Sequence, residues 1–295
     1  MVRTSDSSAL KAKPRGLAAL WKALVGSPVG LLGFGLLVFM MVLAVFGPLI
    51  APYDPTIASG KPFEPPSRAH WLGTNDVGQD ILSELIVGAR VSLLIGFSAA
   101  AGAILIGTLV GLVAGYAGGR VDGLLMRLVD VVLVLPFIPL MIVVAAYVGA
   151  SAGNLIAAIM LVIWARPARV VRSGVLALRE VAYVEGARAL GAGDSHILFR
   201  HILPGVLPIS VSQFILAASG SILIEASLSF LGLGDPVRKS WGTILYYAQI
   251  RGAFLNGSWP WWVVPPGLMI TLAVLGFALT GRALEGYLFP RLRKG

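Results

Sequence analysis

The chain has 295 residues, of which 57% are hydrophobic and 13% are charged, with a net charge of +9 and no cysteine. Soluble domains carry about 25% charged residues, so the composition excludes an ordinary soluble protein and indicates an all-α, polytopic membrane protein. The lack of cysteine excludes disulfides, thiolate metal sites and cysteine nucleophiles.

Residues 1–28 form a basic tail that precedes the first apolar run. Apolar side chains recur in this tail at helical spacing, which predicts a short amphipathic helix on the membrane surface. They are Leu17, Leu20, Trp21 and Leu24. The run at 29–52 exceeds the 7–15 apolar residues of a secretory signal and lacks a clean cleavage site. We therefore interpret it as a retained first transmembrane helix.

The rest of the chain predicts a short loop and five more spans. Residues 53–88 contain several prolines and are too few to bury a core of their own, which indicates a loop outside the membrane. The core follows at 89–284, and a tail at 285–295 closes the chain. The core spans are expected at 91–116, 129–149, 153–175, 202–224 and 259–281. The turn between the second and third of these is predicted by the Gly-Ala-Ser-Ala-Gly-Asn cluster at 149–154.

Basic residues fall unevenly on the two sides that six spans create. All but six of the 23 Lys and Arg residues lie on the side of the two termini and the 166–201 loop. The six others are Lys61, Arg68, Arg90, Arg238, Lys239 and Arg251. Because cytoplasmic loops carry the excess of basic residues, both termini are predicted to be cytoplasmic. The same pattern fits membrane orientation better than a nucleic-acid partner.

Small residues recur every four positions along the second span. They are Ala99, Ala103, Gly107, Gly111 and Gly115. Such a stripe lets another helix backbone approach closely. The pattern fits a helix of the same chain and a helix of another subunit equally well.

The sequence predicts no catalytic, cofactor-binding or metal site. It contains neither a G-x-x-x-x-G-K-[ST] phosphate-binding loop nor an H-E-x-x-H zinc motif. Glu225 is the one clear ionisable residue within a span, near its outer end. Since a buried charge faces a cavity or a partner, Glu225 is expected either at a gate or pathway or in a structural hydrogen bond.

The loop at 178–204 is the longest polar segment of the core, and we interpret it as a docking device. Good helix formers predict a first short helix that ends at Gly191, where glycine suits a left-handed closing residue. Asp194 is then a candidate N-cap for a second helix that Pro204 ends. Exposed apolar groups with a basic rim would form a protein-binding knob, unless they pack back on the spans. The knob comprises Leu190, Ile197 and Phe199, rimmed by Arg188, His196 and Arg200.

This loop resembles the Glu-Ala-Ala loop of ABC-importer permeases. The matching positions are Glu185, Ala187, Gly191, Leu203 and Pro204, with Gly186 in place of an alanine and His201 in place of an isoleucine. Segments at 70–93, 115–122, 228–234 and 241–243 are similar to dipeptide/oligopeptide permeases in the same order. With its extra N-terminal span, the chain resembles the C-type subunit of that family over residues 29–292.

Several positions depart from the family. Asn75, Gln79 and Glu84 stand where the family usually has Asp, Arg and Arg, and the C-terminal pattern at 281–290 differs. Related permeases also move nickel, glutathione and other small solutes. The resemblance therefore implies an importer for di- or oligopeptides, with these other solutes as the alternative.

The resemblance implies a type I importer half with the MetI-like fold in a prokaryotic plasma membrane. A second homologous permease, two cytoplasmic ATPases and an extracytoplasmic solute-binding protein would complete the machine, and the 53–88 loop would receive the binding protein. The coupling helix would span Ala187 to Phe199, with Gly191 at the turn and Glu185 anchoring the loop through a hydrogen bond. An ion-coupled secondary transporter would instead need repeats and several midplane charges, and a membrane scaffold would need no ATPase partners.

Overall fold

A computed structural model describes residue 21 and residues 24–288, and this part of the chain is helical apart from loops and one isolated β-bridge. Most of the expected amphipathic helix and the chain after residue 288 lie outside the described residues. The helices are α1 (Pro28–Ile50), α2 (Ile81–Ala117), α3 (Gly119–Val134), α4 (Phe137–Val148), α5 (Ala152–Ile163), α6 (Ala165–Arg179), α7 (Ala182–Ala189), α8 (Asp194–Ile197), α9 (Leu203–Leu228), α10 (Trp241–Ile250), α11 (Trp259–Trp262) and α12 (Val264–Leu288).

Four helical stretches are long and apolar enough to cross a membrane. They are Pro28–Ile50, Ile81–Ala117, Asp194–Leu233 and Trp259–Leu284. Two bent pairs, α3 with α4 at 93° and α5 with α6 at 43°, bring the number to six when each pair counts as one span. This agrees with the six spans expected from the sequence.

Both bends lie beside prolines. Pro136 follows Leu135, whose extended backbone (φ −63°, ψ 136°) ends α3, because a proline disfavours the helical conformation in the residue before it. Pro167 lies in the first turn of α6. Since it has no N–H to donate to the carbonyl four residues earlier, the helix breaks at Trp164.

The expected turn between the third and fourth spans is confirmed. Gly149 has a positive φ of 91°. The Ser151 hydroxyl then accepts a hydrogen bond from the Asn154 N–H at 3.2 Å and caps α5, which begins at Ala152. Gly149 therefore provides the left-handed backbone of the turn, and Ser151 caps the helix that follows it.

Helix α2 begins at Ile81, ten residues before the apolar window that marked this span. Asp80 caps it, and its carboxylate accepts the Ser83 N–H at 2.8 Å. Ser83 and Glu84 are nevertheless buried, because the segment before α2 and the segment before α10 cover them. A hydropathy window finds apolar residues, and it therefore misses a helical start whose polar side chains have polar partners.

The small-residue stripe of α2 packs against α6 of the same chain, and this pair forms the most extensive helix contact in the described structure. A Cβ added at Gly107 would lie 2.7 Å from the Trp164 carbonyl oxygen, and one at Gly111 would lie 2.5 Å from the Ala168 carbonyl oxygen. The close approach predicted for the stripe is therefore an intramolecular contact.

Candidate coupling surface and transmembrane groove

The loop that follows α6 closes at Gly191 as expected. Helix α7 ends there, and Gly191 has a positive φ of 82°. The Ala192 N–H bonds the Ala187 carbonyl at 3.1 Å, which closes the last turn. The helix before Gly191 is shorter than the range 178–190 that the sequence favours for it. Helix α6 ends at Arg179, and α7 begins only at Ala182.

Asp194 does not cap the second helix, so the N-cap prediction was wrong. Gly193 occupies the cap position without a side-chain bond, and Asp194 is the first helical residue. Its carboxylate instead accepts the Tyr116 hydroxyl at 2.6 Å. Asp194 therefore connects the loop to the end of α2.

Pro204 does not end the second helix either. Residues Leu198–Ile202 form a π-helical turn in which the Leu203 N–H bonds the Leu198 carbonyl. Pro204 then occupies the first turn of α9, where a missing N–H is tolerated. The helix consequently runs without a stop from Asp194 into the membrane.

The exposed surface of the loop differs from the expected knob at one position. Leu190 is 90% exposed and Phe199 is 62% exposed, as predicted. Ile197 is fully buried, so its predicted exposure was wrong. It lies on the inner face of α8 in a cluster with apolar residues of α2, α6, α7 and α9. That cluster contains Leu112, Val171, Val175, Val184, Ile202 and Val206.

Polar side chains of the same loop are exposed as well. Glu185, Arg188 and His196 are exposed, and Ala187 is half-buried. Within the described residues the Glu185 carboxylate takes part in no hydrogen bond or ion pair. The anchoring bond expected for Glu185 is thus not made inside this part of the chain.

Two arginines of α6 contact the region where α2 ends and α3 begins. The Arg179 guanidinium donates to the carbonyls of Gly115 at 3.4 Å and Tyr116 at 3.3 Å, which are among the last carbonyls of α2. Arg172 forms a two-fold hydrogen-bonded ion pair with Asp122 of α3. The loop, α6 and the end of α2 are therefore connected by charged groups as well as by apolar packing.

A groove of about 510 Å³ lies between α3, the α5–α6 bend and α9. Its walls are mostly apolar, with Arg166 and Gln213 as the polar groups. The complete lining of the groove consists of Val132, Leu133, Leu135, Val162, Ile163, Arg166, Pro167, Gln213, Leu216, Ala217, Gly220 and Ile224. The groove is therefore the largest candidate for one wall of a solute pathway among the cavities described here.

Glu225 lies inside the bundle and does not line this groove. It is fully buried, and its carboxylate accepts the Ser229 hydroxyl at 2.8 Å. Its second carboxylate oxygen, Oε2, is buried and accepts no hydrogen bond from the described residues. This position supports the structural hydrogen-bonding role expected as one alternative, rather than contact with a solute at a gate.

Asn75, Gln79 and Glu84, the positions at which the resemblance implied departures, form one network at the start of α2. The Asn75 amide donates to Gln79 at 2.9 Å and to Glu84 at 2.8 Å. Lys239 donates to Gln79 at 2.5 Å and forms an ion pair with Glu84. Sequence reasoning missed Lys239, because it lies 155 positions after Glu84 along the chain.

Replacing Lys239 by methionine is expected to destabilise the protein by about 3 kcal/mol, because Glu84 has only 1% of its side chain exposed and would lose its cation. The double variant with Glu84→Gln should recover a large part of this loss, since the amide carries no charge. Thermal unfolding of the two single variants and the double variant measures the coupling. Additive effects would contradict a direct pair.

Two family models match the chain. The model of the binding-protein-dependent transport system inner membrane component matches residues 107–294. The model of the N-terminal transmembrane domain of oligopeptide transport permease C matches residues 17–66. Together they cover the first helix and most of the core, whereas residues 67–106 are matched by neither model.

Relatives are similar over most of their length. The dipeptide transport system permease protein of Alkalihalophilus pseudofirmus is 37% identical over 276 residues, covering 92% of this chain and 89% of that protein. The glutathione transport system permease protein of Pectobacterium atrosepticum is 38% identical, covering 88% and 86%. The oligopeptide transport system permease protein of Bacillus subtilis is 34% identical, covering 94% and 91%. The chain therefore belongs to the family of inner-membrane permease components of binding-protein-dependent transport systems, whose members are transporter subunits and not enzymes themselves.

Proposed function

We propose that this chain is the permease subunit that forms half of the translocation pathway of an ABC importer for di- or oligopeptides. A second homologous permease supplies the other half, two cytoplasmic ATPases supply the energy, and an extracytoplasmic binding protein delivers the solute. The observation that carries the proposal is one helical stretch, Asp194–Leu233, whose backbone stays helical up to the kink at Gly232 and which joins the exposed loop to the groove.

This stretch has the geometry of a lever. The part before the kink at Gly232, residues 194–231, extends about 57 Å at 1.5 Å per residue, so it reaches through a bilayer. Phe199 is exposed near its first end, while Gln213 and Leu216 line the groove further along. A displacement of Phe199 by an ATPase would move these groove residues as a rigid body.

A second connection couples the loop to α2. The bonds from Arg179 to the last carbonyls of α2 join the start of the loop to that helix, and the bond from the Tyr116 hydroxyl to Asp194 joins α8 to it. Ile197 anchors the same region through its buried side chain. ATPase closure would therefore move α2 and α9 together and switch the pathway between its two sides.

The proposed orientation places both termini and the Leu190–Phe199 surface in the cytoplasm. It rests on the excess of basic residues on that side of the membrane. The surface has the composition of a partner site, because Leu190 and Phe199 are exposed on the same loop as Glu185, Arg188 and His196.

The solute class rests on the relatives. Several carry names of dipeptide, di/tripeptide or oligopeptide transport, and one carries the name of glutathione transport. Glutathione is itself a tripeptide, so a peptide backbone is the chemistry these names share. Glutathione is the second candidate solute, and nickel is an alternative that only the family resemblance supports.

The proposal is tested by uptake of a labelled dipeptide into cells that lack this chain and are complemented with variants. We expect the wild type to restore ATP-dependent uptake and Gly191→Glu to reduce it at least tenfold. The substituted side chain meets open space, but the φ of 82° strains any residue other than glycine. Gly186→Ala is the matched control, since its side chain also meets open space within the regular helix α7.

Two outcomes would contradict the proposal, one for the coupling role of the loop and one for the peptide solute. Full uptake by Gly191→Glu, inserted at the normal level, would refute the coupling role of the loop. Failure of the wild type to restore peptide uptake would refute the peptide assignment, and labelled glutathione and nickel would then be measured in the same strains.

A further inference from the structure

A second cavity, of about 350 Å³, lies beside the N-terminal half of α2. It is bounded by α2, the start of α5 and the segment that follows the π-helical turn at Ser229–Leu233. Its lining combines two arginines with an apolar wall. The lining residues are Arg90, Val91, Leu94, Ile95, Ala152 and Arg238.

The two arginines carry positive charge that the described residues do not neutralise. Within residues 24–288, neither Arg90 nor Arg238 takes part in a side-chain ion pair or hydrogen bond. Both are exposed. Guanidinium groups favour oxyanions, which they bind through paired N–H donors.

The carboxylate on the same segment is occupied by main-chain donors. Asp235 accepts the N–H groups of Ala152 at 3.3 Å, Val237 at 2.9 Å and Arg238 at 3.3 Å. These bonds hold the backbone of Arg238 beside the first residue of α5. Asp235 therefore positions one arginine of the cavity without forming an ion pair with it.

The position of Arg90 on α2 indicates its depth in the membrane. Leu94, Leu105, Leu109 and Val113 are 45–63% exposed and follow one face of the helix, and Arg90 continues that face one turn earlier. From Arg90 to Val113 the axis measures about 35 Å. Because the hydrocarbon core is about 30 Å thick, Arg90 lies at headgroup level when this apolar face spans the core.

We propose that this cavity binds the phosphate of an anionic phospholipid. Arg90 and Arg238 contact the phosphate, and the upper part of an acyl chain packs on Val91, Leu94 and Ile95. The apolar wall is the reason for choosing a lipid over a free anion, since Leu94 belongs both to the cavity and to the exposed face of α2. In the proposed orientation the lipid belongs to the extracytoplasmic leaflet.

The test is a titration of the purified full-length protein, with whatever subunits accompany it, by phosphatidylglycerol and by phosphatidylcholine, followed by native mass spectrometry. We expect the wild type to prefer phosphatidylglycerol, and Arg90→Gln combined with Arg238→Gln to lose about tenfold in that affinity. Arg68→Gln is the matched control, because Arg68 is exposed but lies outside the cavity. Arg90→Lys combined with Arg238→Lys should retain part of the preference, since the charge remains while the paired N–H donors are lost.

Three results would overturn the proposal. The first is an equal loss of affinity in Arg68→Gln, which would indicate only a general effect of charge. The second is equally tight binding of phosphatidylcholine. The third is displacement of the lipid by millimolar inorganic phosphate or by a dipeptide, which would make the cavity a site for a free anion or for the solute. Unfolding temperatures of all variants are measured in parallel, and a double-Gln variant that keeps its unfolding temperature but loses the lipid supports the site.

Discussion

Leu190→Asp is expected to abolish ATP-driven uptake while the permease still folds and inserts. Leu190 is 90% exposed, so its replacement removes almost no contact within the chain. In the groove of an ATPase, the buried leucine would contribute about 2–3 kcal/mol, and a carboxylate there would lose its hydration. The complex should therefore weaken by about 30- to 100-fold. Co-purification of the ATPases and uptake of labelled dipeptide measure the two effects.

Two further variants separate docking from general disturbance. Leu190→Met keeps an apolar side chain and should keep both ATPase binding and uptake. Leu255→Asp alters a leucine that is 94% exposed in the turn between α10 and α11, at the opposite end of the molecule. It should leave the ATPases bound. Normal ATPase binding by Leu190→Asp would mean that the loop is not the docking surface.

Parts of the candidate site could be predicted from sequence at positions where the backbone conformation accepts only one type of residue. Gly191 was identified because a helix end followed by a left-handed residue requires glycine, and its φ of 82° confirms this. Ile197 was assigned to the wrong face. Three apolar residues in a short loop do not reveal which of them turns inward, because that depends on how α8 is rotated against α6.

Pro204 shows a second limit of local rules. A proline ordinarily indicates a helix end, but the π-helical turn before it shifts the hydrogen bonds and lets the helix continue. The continuous stretch from Asp194 to Leu233, on which the lever argument rests, was therefore not expected from sequence. No single residue type signals a π-helical turn.

The fold was predictable where composition alone decides it. Apolar windows located the spans, and the glycine cluster at 149–154 located a turn. The early start of α2 was missed because its first turns contain polar side chains, and Glu84 is buried there beside Lys239, 155 positions away. Likewise, the small-residue stripe predicted a close helix contact but did not identify the partner helix. A surface of glycine and alanine allows any helix to approach closely.

The same stripe provides the second large expected effect. Gly111→Ala should lower the unfolding temperature of the permease and its yield in the membrane. The new Cβ would lie 2.5 Å from the Ala168 carbonyl oxygen and 2.9 Å from the Arg172 nitrogen. Both atoms belong to the backbone of α6, so no side-chain rotation can relieve the contact, and the helices must separate at a cost of about 1–3 kcal/mol.

Gly35→Ala is the matched control for this variant. Gly35 also lies within a transmembrane helix, but an added Cβ there meets nothing within 4 Å, so stability should stay equal or rise by about 0.5–1 kcal/mol. Separation of α2 from α6 would also move Arg172 away from Asp122 and Arg179 away from the end of α2. Gly111→Ala should consequently reduce both stability and uptake, whereas Leu190→Asp reduces uptake alone. If Gly111→Ala were as stable as the wild type, the tight α2–α6 packing would be refuted, and another subunit would become the better partner for the stripe.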